Sequence, residues 1–184
     1  MIKIFDGDVG LSNEECKRIF ETFPDVLKEK IKKKRDEKTK KMCIAEYFFL
    51  QKLLKIESLN GLQISPNGKP YIDEEKFFNI SNSGDKFCIA TADKPIGVDI
   101  QKMIRFDQRL AKKICNAEEL GLLDKAVDKD LEITKIWTKK EAFIKCKGET
   151  IGQDLKALLR DTKGFKFRFL RKDNFVVCEC KKTL

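Results

Sequence analysis

Twice in this chain of 184 residues a helical apolar period gives way to an alternating, hairpin-like one. Met42, Ala45, Phe49, Leu53 and Ile56 recur at helical spacing, which puts them on one core-facing stripe. Turn signals at Asn60-Gly61 and Pro66-Asn67-Gly68 follow, then short strands near 62–65, 77–82 and 86–92. Pro95 starts a further strand, Ile96–Gln101. The second half runs helical near 107–115, 117–127 and 130–147, with a short helix near 154–160. Phe165–Leu170 alternates as a half-buried strand, and Phe175–Cys180 pairs with it across Lys172-Asp173-Asn174. A long helix followed by an antiparallel hairpin, twice over, predicts an α+β fold of two similar halves. They span 1–94 and 95–184 and meet near Asp93–Pro95.

Ahead of the first long helix, Ile2–Phe5 reads as a strand. Ser12-Asn13-Glu14-Glu15 is a capping box that opens a helix running to about Phe23, where Pro24 breaks it. Residues 28–41 form a basic run that continues into the amphipathic helix. Lysine and arginine exceed acidic residues by 39 to 30, a formal net charge of +9, which favours an acidic or polyanionic partner. Hydrophobic residues are 41% of the chain, enough for a core. Seven cysteines, widely spaced and without a C-x-x-C pair, argue against a disulfide framework and against structural zinc. The chain has no histidine, so proton transfer falls to Asp, Glu, Lys or Cys. No apolar run reaches spanning length and residues 1–20 lack a signal-peptide core, which predicts a cytoplasmic protein without membrane association.

Chemistry concentrates in three segments. On a helix, Trp137, Glu141 and Lys145 fall on one face. On a strand, Asp99 and Gln101 share a face while Val98 and Ile100 turn to the core. Upstream of both, Phe78-Asn79-Ile80-Ser81-Asn82-Ser83-Gly84 supplies a polar turn. Asp99, Gln101 and Glu141 together would make an oxygen-rich cluster suited to Mg²⁺. The alternative is that Asp99 pairs locally and Glu141 is the ordinary helix partner of Lys145. On spacing alone the second reading is the stronger. The basic run divides the same way, between phosphate binding and a solvated helix face, and Trp137 reads first as a core anchor. Cys178 and Cys180 share a strand face and read as packing.

Taken in order, Gly68-Lys69-Pro70, Phe78–Gly84, Ile96-Gly97-Val98-Asp99-Ile100 and Trp137-Thr138-Lys139-Lys140-Glu141-Ala142-Phe143-Ile144-Lys145 closely resemble the motifs of the Sfp-like 4′-phosphopantetheinyl transferases. The last motif has that family's W…KEA…K form. The resemblance covers about 68–148 and implies two pseudo-twofold α+β halves with the active site in the cleft between them. It implies transfer of the phosphopantetheine arm of coenzyme A to a serine of an acidic acyl or peptidyl carrier protein. It also implies Mg²⁺, or Mn²⁺ in its place, on Asp99 and Glu141 with Gln101 alongside, and no need for more than one copy of the chain. Glu141 would act as or orient the general base, and Lys145 would neutralise phosphate charge. Lys69, Ser81, Asn82 and Lys140 would contact coenzyme A, together with Lys28, Lys30 and Lys41 from the basic run.

Two positions depart from the family pattern. Asn82 stands where relatives usually carry His, and Gln101 where many carry Glu. They are the support for one rival, a non-catalytic relative that binds coenzyme A or a carrier. A more distant rival is a basic nucleic-acid-binding protein using residues 28–41, although no nucleic-acid module is visible and the run lacks aromatic interleaving.

Overall fold

The computed structural model describes residues 1–72, 76–150 and 154–183, and it is mixed α/β. Strand β1 (Ile2–Asp6) leads to three helices, α1 (Asn13–Glu21), α2 (Asp25–Lys32) and α3 (Glu37–Leu54). The Ser12 capping box forms as the sequence indicates, with its hydroxyl on the Glu15 N–H and the Glu15 carboxylate on the Ser12 N–H. Pro24 does end the α1 segment, but it also serves as the N-cap of α2. The basic run is not one continuous helix. It breaks at residues 33–36, where Asp36 caps a new start by accepting from the Thr39 N–H. The buried face of α3 carries Cys43, Tyr47, Leu50 and Leu54 with Ala45, whereas Met42, Phe49 and Leu53 lie half-buried along its border.

A small hairpin of β2 (Leu62–Ile64) and β3 (Pro70–Ile72) follows, and β3 is a strand that the sequence pattern does not predict. Strands β4 (Phe77–Ser83) and β5 (Lys86–Ala92) pair antiparallel, and β1 joins the far side of β5. This first sheet has the order β1-β5-β4. After β6 (Ile96–Lys102) come α4 (Gln108–Ile114), α5 (Ala117–Lys125) and α6 (Lys129–Lys147). The hairpin of β7 (Phe165–Lys172) and β8 (Phe175–Lys182) then gives a sheet of order β6-β8-β7. Thus both sheets place the last strand at the centre, between the first and the middle one. The helix expected near 154–160 is absent; residues 155–159 are turns, held by short bonds such as Ala157 N to Asp154 O.

The two sheets are joined along β4 and β6 by side chains rather than a backbone ladder. Asn79 Oδ1, Ser81 Oγ and Ser83 Oγ accept from the N–H groups of Val98, Ile100 and Lys102, two residues per step on both strands. The strands therefore run parallel, and the alternation of the Asn-Ile-Ser-Asn-Ser segment supplies polar atoms to one edge at the strand period. Satisfying those N–H groups is what allows an otherwise unpaired sheet edge to be buried. Helix α6 then lies across β6, so that one seam brings β4, β6 and α6 together.

Candidate active site

Helix α6 meets β6 at Gly97. A Cβ at that position would sit 2.0 Å from Ala142 O and 2.3 Å from Cys146 N, so only hydrogen allows the approach. The contact sets Glu141 and Lys145, which flank it in sequence, against Asp99 two residues along β6. Asp99 is 5% exposed and Glu141 7% exposed. Asp99 Oδ1 accepts from Ser81 Oγ at 2.7 Å and from Lys145 Nζ at 2.6 Å, and Lys145 Nζ also reaches Ser81 Oγ at 2.9 Å. The ordinary helix pair of Glu141 with Lys145 is therefore replaced by a bond across the seam. Asp99 Oδ2 is buried and has no hydrogen-bond partner among the described residues. Burial raises the carboxyl pKa of Glu141, the negative Asp99 raises it further, and Lys145 opposes both.

Trp137, Gln101, Ser81 and Asn82 complete the walls of this cleft with Asp99, Glu141 and Lys145. Trp137 is half-buried: it packs against the Ala111, Ile114 and Leu123 cluster and still faces the cleft, so it is anchor and wall at once. Lys145 and Asn82 also border a second hollow of about 250 Å³, lined by Lys30, Lys34, Lys69, Glu46 and Tyr47. Lys30 Nζ donates to the Tyr47 hydroxyl at 2.8 Å. Lys69 Nζ donates to Lys145 O at 2.5 Å and to Ile96 O at 3.4 Å. Burial lowers the pKa of both lysines.

The fold does not bring every expected residue here. Lys28 points to Glu21 on α1, with its ammonium 3.4 Å from the carboxylate. Lys41 lines grooves on the other side of α3, beside Cys16 and Glu37. Lys140 is fully enclosed and is a structural cation: its ammonium donates to Ile114 O, Leu155 O and Glu119 Oε2 at 2.6–2.7 Å. Three sites of demand consume its three donors, so none remains for a ligand.

Sequence reasoning missed Glu46. It lies on the buried stripe of α3, three residues after Cys43, and its Oε1 accepts from Asn82 Nδ2 at 2.7 Å. An acidic residue interrupting an apolar stripe was the available signal. Burial raises its pKa above 4.5, more than Asn82, Lys34 and Lys30 lower it. The native state then holds this proton more tightly than the unfolded chain, so stability falls as pH rises from about 4.5 through the raised value and stays reduced above it. Glu46→Gln keeps an acceptor for Asn82 and removes the charge. Thermal melts should show the variant more stable than the parent at neutral pH, with the gain vanishing under acidic conditions. Equal melting temperatures at neutral pH would mean that Lys30 and Lys34 already neutralise the carboxylate.

Two nearly buried carboxylates with an orphaned oxygen, next to a lysine-lined hollow, can hold a divalent cation and a phosphate-rich ligand together. No group of three or more His, Cys, Asp or Glu gathers among the described residues. A donor set of two carboxylates and the Gln101 amide, open to water and ligand oxygens, nevertheless fits Mg²⁺.

Comparison with known proteins points the same way. Residues 95–183 match the model of the 4′-phosphopantetheinyl transferase superfamily. The chain is 34% identical over 93 residues to 4′-phosphopantetheinyl transferase psf-1 of Bacillus pumilus, a stretch covering 48% of this chain and 40% of that protein. It is 32% identical over 84 residues to 4′-phosphopantetheinyl transferase gsp of Aneurinibacillus migulanus, covering 45% and 35%. With 4′-phosphopantetheinyl transferase Sfp of Bacillus subtilis (strain 168) it is 35% identical over 92 residues, covering 48% and 41%. The resemblance to the Sfp-like transferases is therefore shown, and each match spans less than half the length of the relative concerned.

Proposed function

We propose that this protein transfers the 4′-phosphopantetheine arm of coenzyme A to a serine hydroxyl of an acyl or peptidyl carrier protein, releasing adenosine 3′,5′-bisphosphate. The observation that carries the reading is the convergence of Asp99, Glu141 and Lys145 in one cleft opening onto a lysine-lined hollow. In the reaction the serine oxygen bonds to the pantetheine-side phosphorus of the pyrophosphate. The P–O bond to the adenosine bisphosphate breaks, and that oxygen leaves with its charge. Such transfers need positioning and charge neutralisation more than covalent help from the protein.

Asp99 and Glu141, with Gln101 beside them, are the residues that would hold Mg²⁺. When bound, Mg²⁺ neutralises the pyrophosphate and polarises the attacked phosphorus. Lys145 Nζ, fixed by Asp99 and Ser81, presents a cation to the same phosphate oxygens. Glu141 takes or orients the serine proton, a role that falls to a carboxylate in a protein without histidine. Lys30 and Lys34 of the hollow attract the remaining phosphates of the donor. Asn82 is partly spent on Glu46, so those lysines replace the charge that a histidine there would carry.

Further support comes from symmetry of strand order. Each half, 1–94 and 95–184, has a three-stranded sheet with its first strand beside its last, and a long helix comes between that first strand and the other two. We read them as pseudo-twofold related, with β4 and β6 as the seam that forms the cleft. No helix of the described residues is long and apolar enough to cross a membrane. On this reading the protein works in the cytoplasm as a monomer, and its +9 charge draws in an acidic carrier. The test is carrier-dependent appearance of adenosine 3′,5′-bisphosphate from coenzyme A, abolished by a chelator and restored by Mg²⁺. Coenzyme A binding without nucleotide release on any carrier would instead establish the non-catalytic relative.

A further inference from the structure

The β2–β3 turn reaches across the molecule to the end of α6. Its own geometry is tightly fixed: Gly68 has φ +79°, Gly68 N donates to Ser65 O at 2.8 Å, and Lys69 N donates to Ser65 Oγ at 3.1 Å. From this turn Asn67 Nδ2 donates to Gly148 O at 3.0 Å and Lys69 Nζ to Lys145 O at 2.5 Å. The last carbonyls of a helix have no intrahelical partner, and a cation there also matches the helix dipole. At the C-cap of α6, Gly148 N donates to Lys145 O at a long 3.3 Å. Lys69 Nζ further reaches Ile96 O, at the start of the strand that carries Asp99.

Resting on the function proposed above, we infer that Lys69, assisted by Asn67, is a positioning residue that clamps the last turn of α6 to β6 and thereby sets Lys145 against Asp99. It does so through main-chain carbonyls, not through contact with the phosphate donor. The lysine is half-buried, and its donors are directed to backbone oxygens at 2.5 and 3.4 Å. The Lys145 backbone is thus held from one side while its ammonium is held from the other by Ser81 and Asp99. Removing the clamp frees the turn that carries Lys145 without removing any group that touches ligand. The shared hollow makes donor contact the natural alternative, and the two roles separate experimentally.

Lys69→Met should lower kcat by about tenfold or more while the dissociation constant for coenzyme A, measured by calorimetry, changes less than about twofold. Lys69→Arg, which can still reach a carbonyl, should recover most of the loss. Asn67→Ala should show a smaller effect of the same kind. In a double-mutant cycle, Lys69→Met should cost little once Lys145 is already alanine, since it acts through that residue. Parallel losses in affinity and turnover that multiply with Lys145→Ala would overturn the clamp and make Lys69 a donor ligand. Amide hydrogen exchange over residues 144–149 gives a readout that needs no activity. Faster exchange in Lys69→Met supports the clamp, and unchanged exchange contradicts it. A parent protein that transfers nothing would sink the proposed function alone, because the exchange result still decides the clamp.

Discussion

Glu141→Ala should abolish phosphopantetheine transfer, lowering kcat by on the order of 10³-fold or more, because it removes a metal-holding carboxylate and the proton acceptor in one change. The protein should stay folded. Glu141 buries its carboxylate at a cost that its raised pKa records, so losing it relieves desolvation and leaves no stranded partner. Asp99→Ala should be nearly as damaging to activity for a different reason. Lys145 and Ser81 both bond Asp99 Oδ1, and without it the lysine loses the anchor that aims it into the cleft. Melting temperature and turnover measured on the same samples separate the cases. Retained turnover in folded Glu141→Ala would remove that carboxylate from the chemistry.

Gly97→Ala should be the most disruptive change of a single methyl group. The added carbon would lie 2.0 Å from Ala142 O, 2.3 Å from Cys146 N and 2.9 Å from Cys146 Cα, and every one of these is backbone. No side chain can swing away, so α6 must lift from β6. Overpacking of this kind costs about 3 kcal/mol or more, which for a domain of this size lowers the melting temperature by roughly 10 °C. Activity should fall further than stability does, because Glu141 and Lys145 ride on the displaced helix. Gly121→Ala is the control. That glycine sits in α5 with open space around its Cβ, so alanine there should leave stability the same or raise it by about 0.5–1 kcal/mol. A Gly97→Ala protein that melts with the parent would mean that the helix-to-strand approach tolerates a side chain.

Much of the seam was legible in the sequence because its signals are local. Helical spacing put Trp137, Glu141 and Lys145 on one face, strand spacing put Asp99 beside Gln101, and all of them line one cleft. What spacing does not carry is the third dimension of the basic run. Lys28, Lys30, Lys34 and Lys41 look alike in sequence, yet the break at Asp36 turns Lys30 and Lys34 toward the hollow and Lys41 to the other side of α3. Lys140 lies within the most recognisable motif and nevertheless serves the core, since a partner from α5 and two distant carbonyls decide its role. Glu46 escaped for the same reason, and Gly97 stands in the Ile96–Ile100 motif, which gave no sign of its packing role. Their importance comes from Asn82 and from α6, which only the tertiary fold brings near. The short strand β3 carries proline at its first position, where strand propensity is weak and pairing with β2 supplies the register.

The most direct test is the intact mass of an apo carrier protein incubated with this protein, coenzyme A and Mg²⁺, with a chelator control. The expected result is a gain equal to one phosphopantetheine arm on the carrier's serine, absent with chelator and absent with Glu141→Ala. An unchanged mass across acyl and peptidyl carriers, with the protein folded and coenzyme A bound, would contradict it.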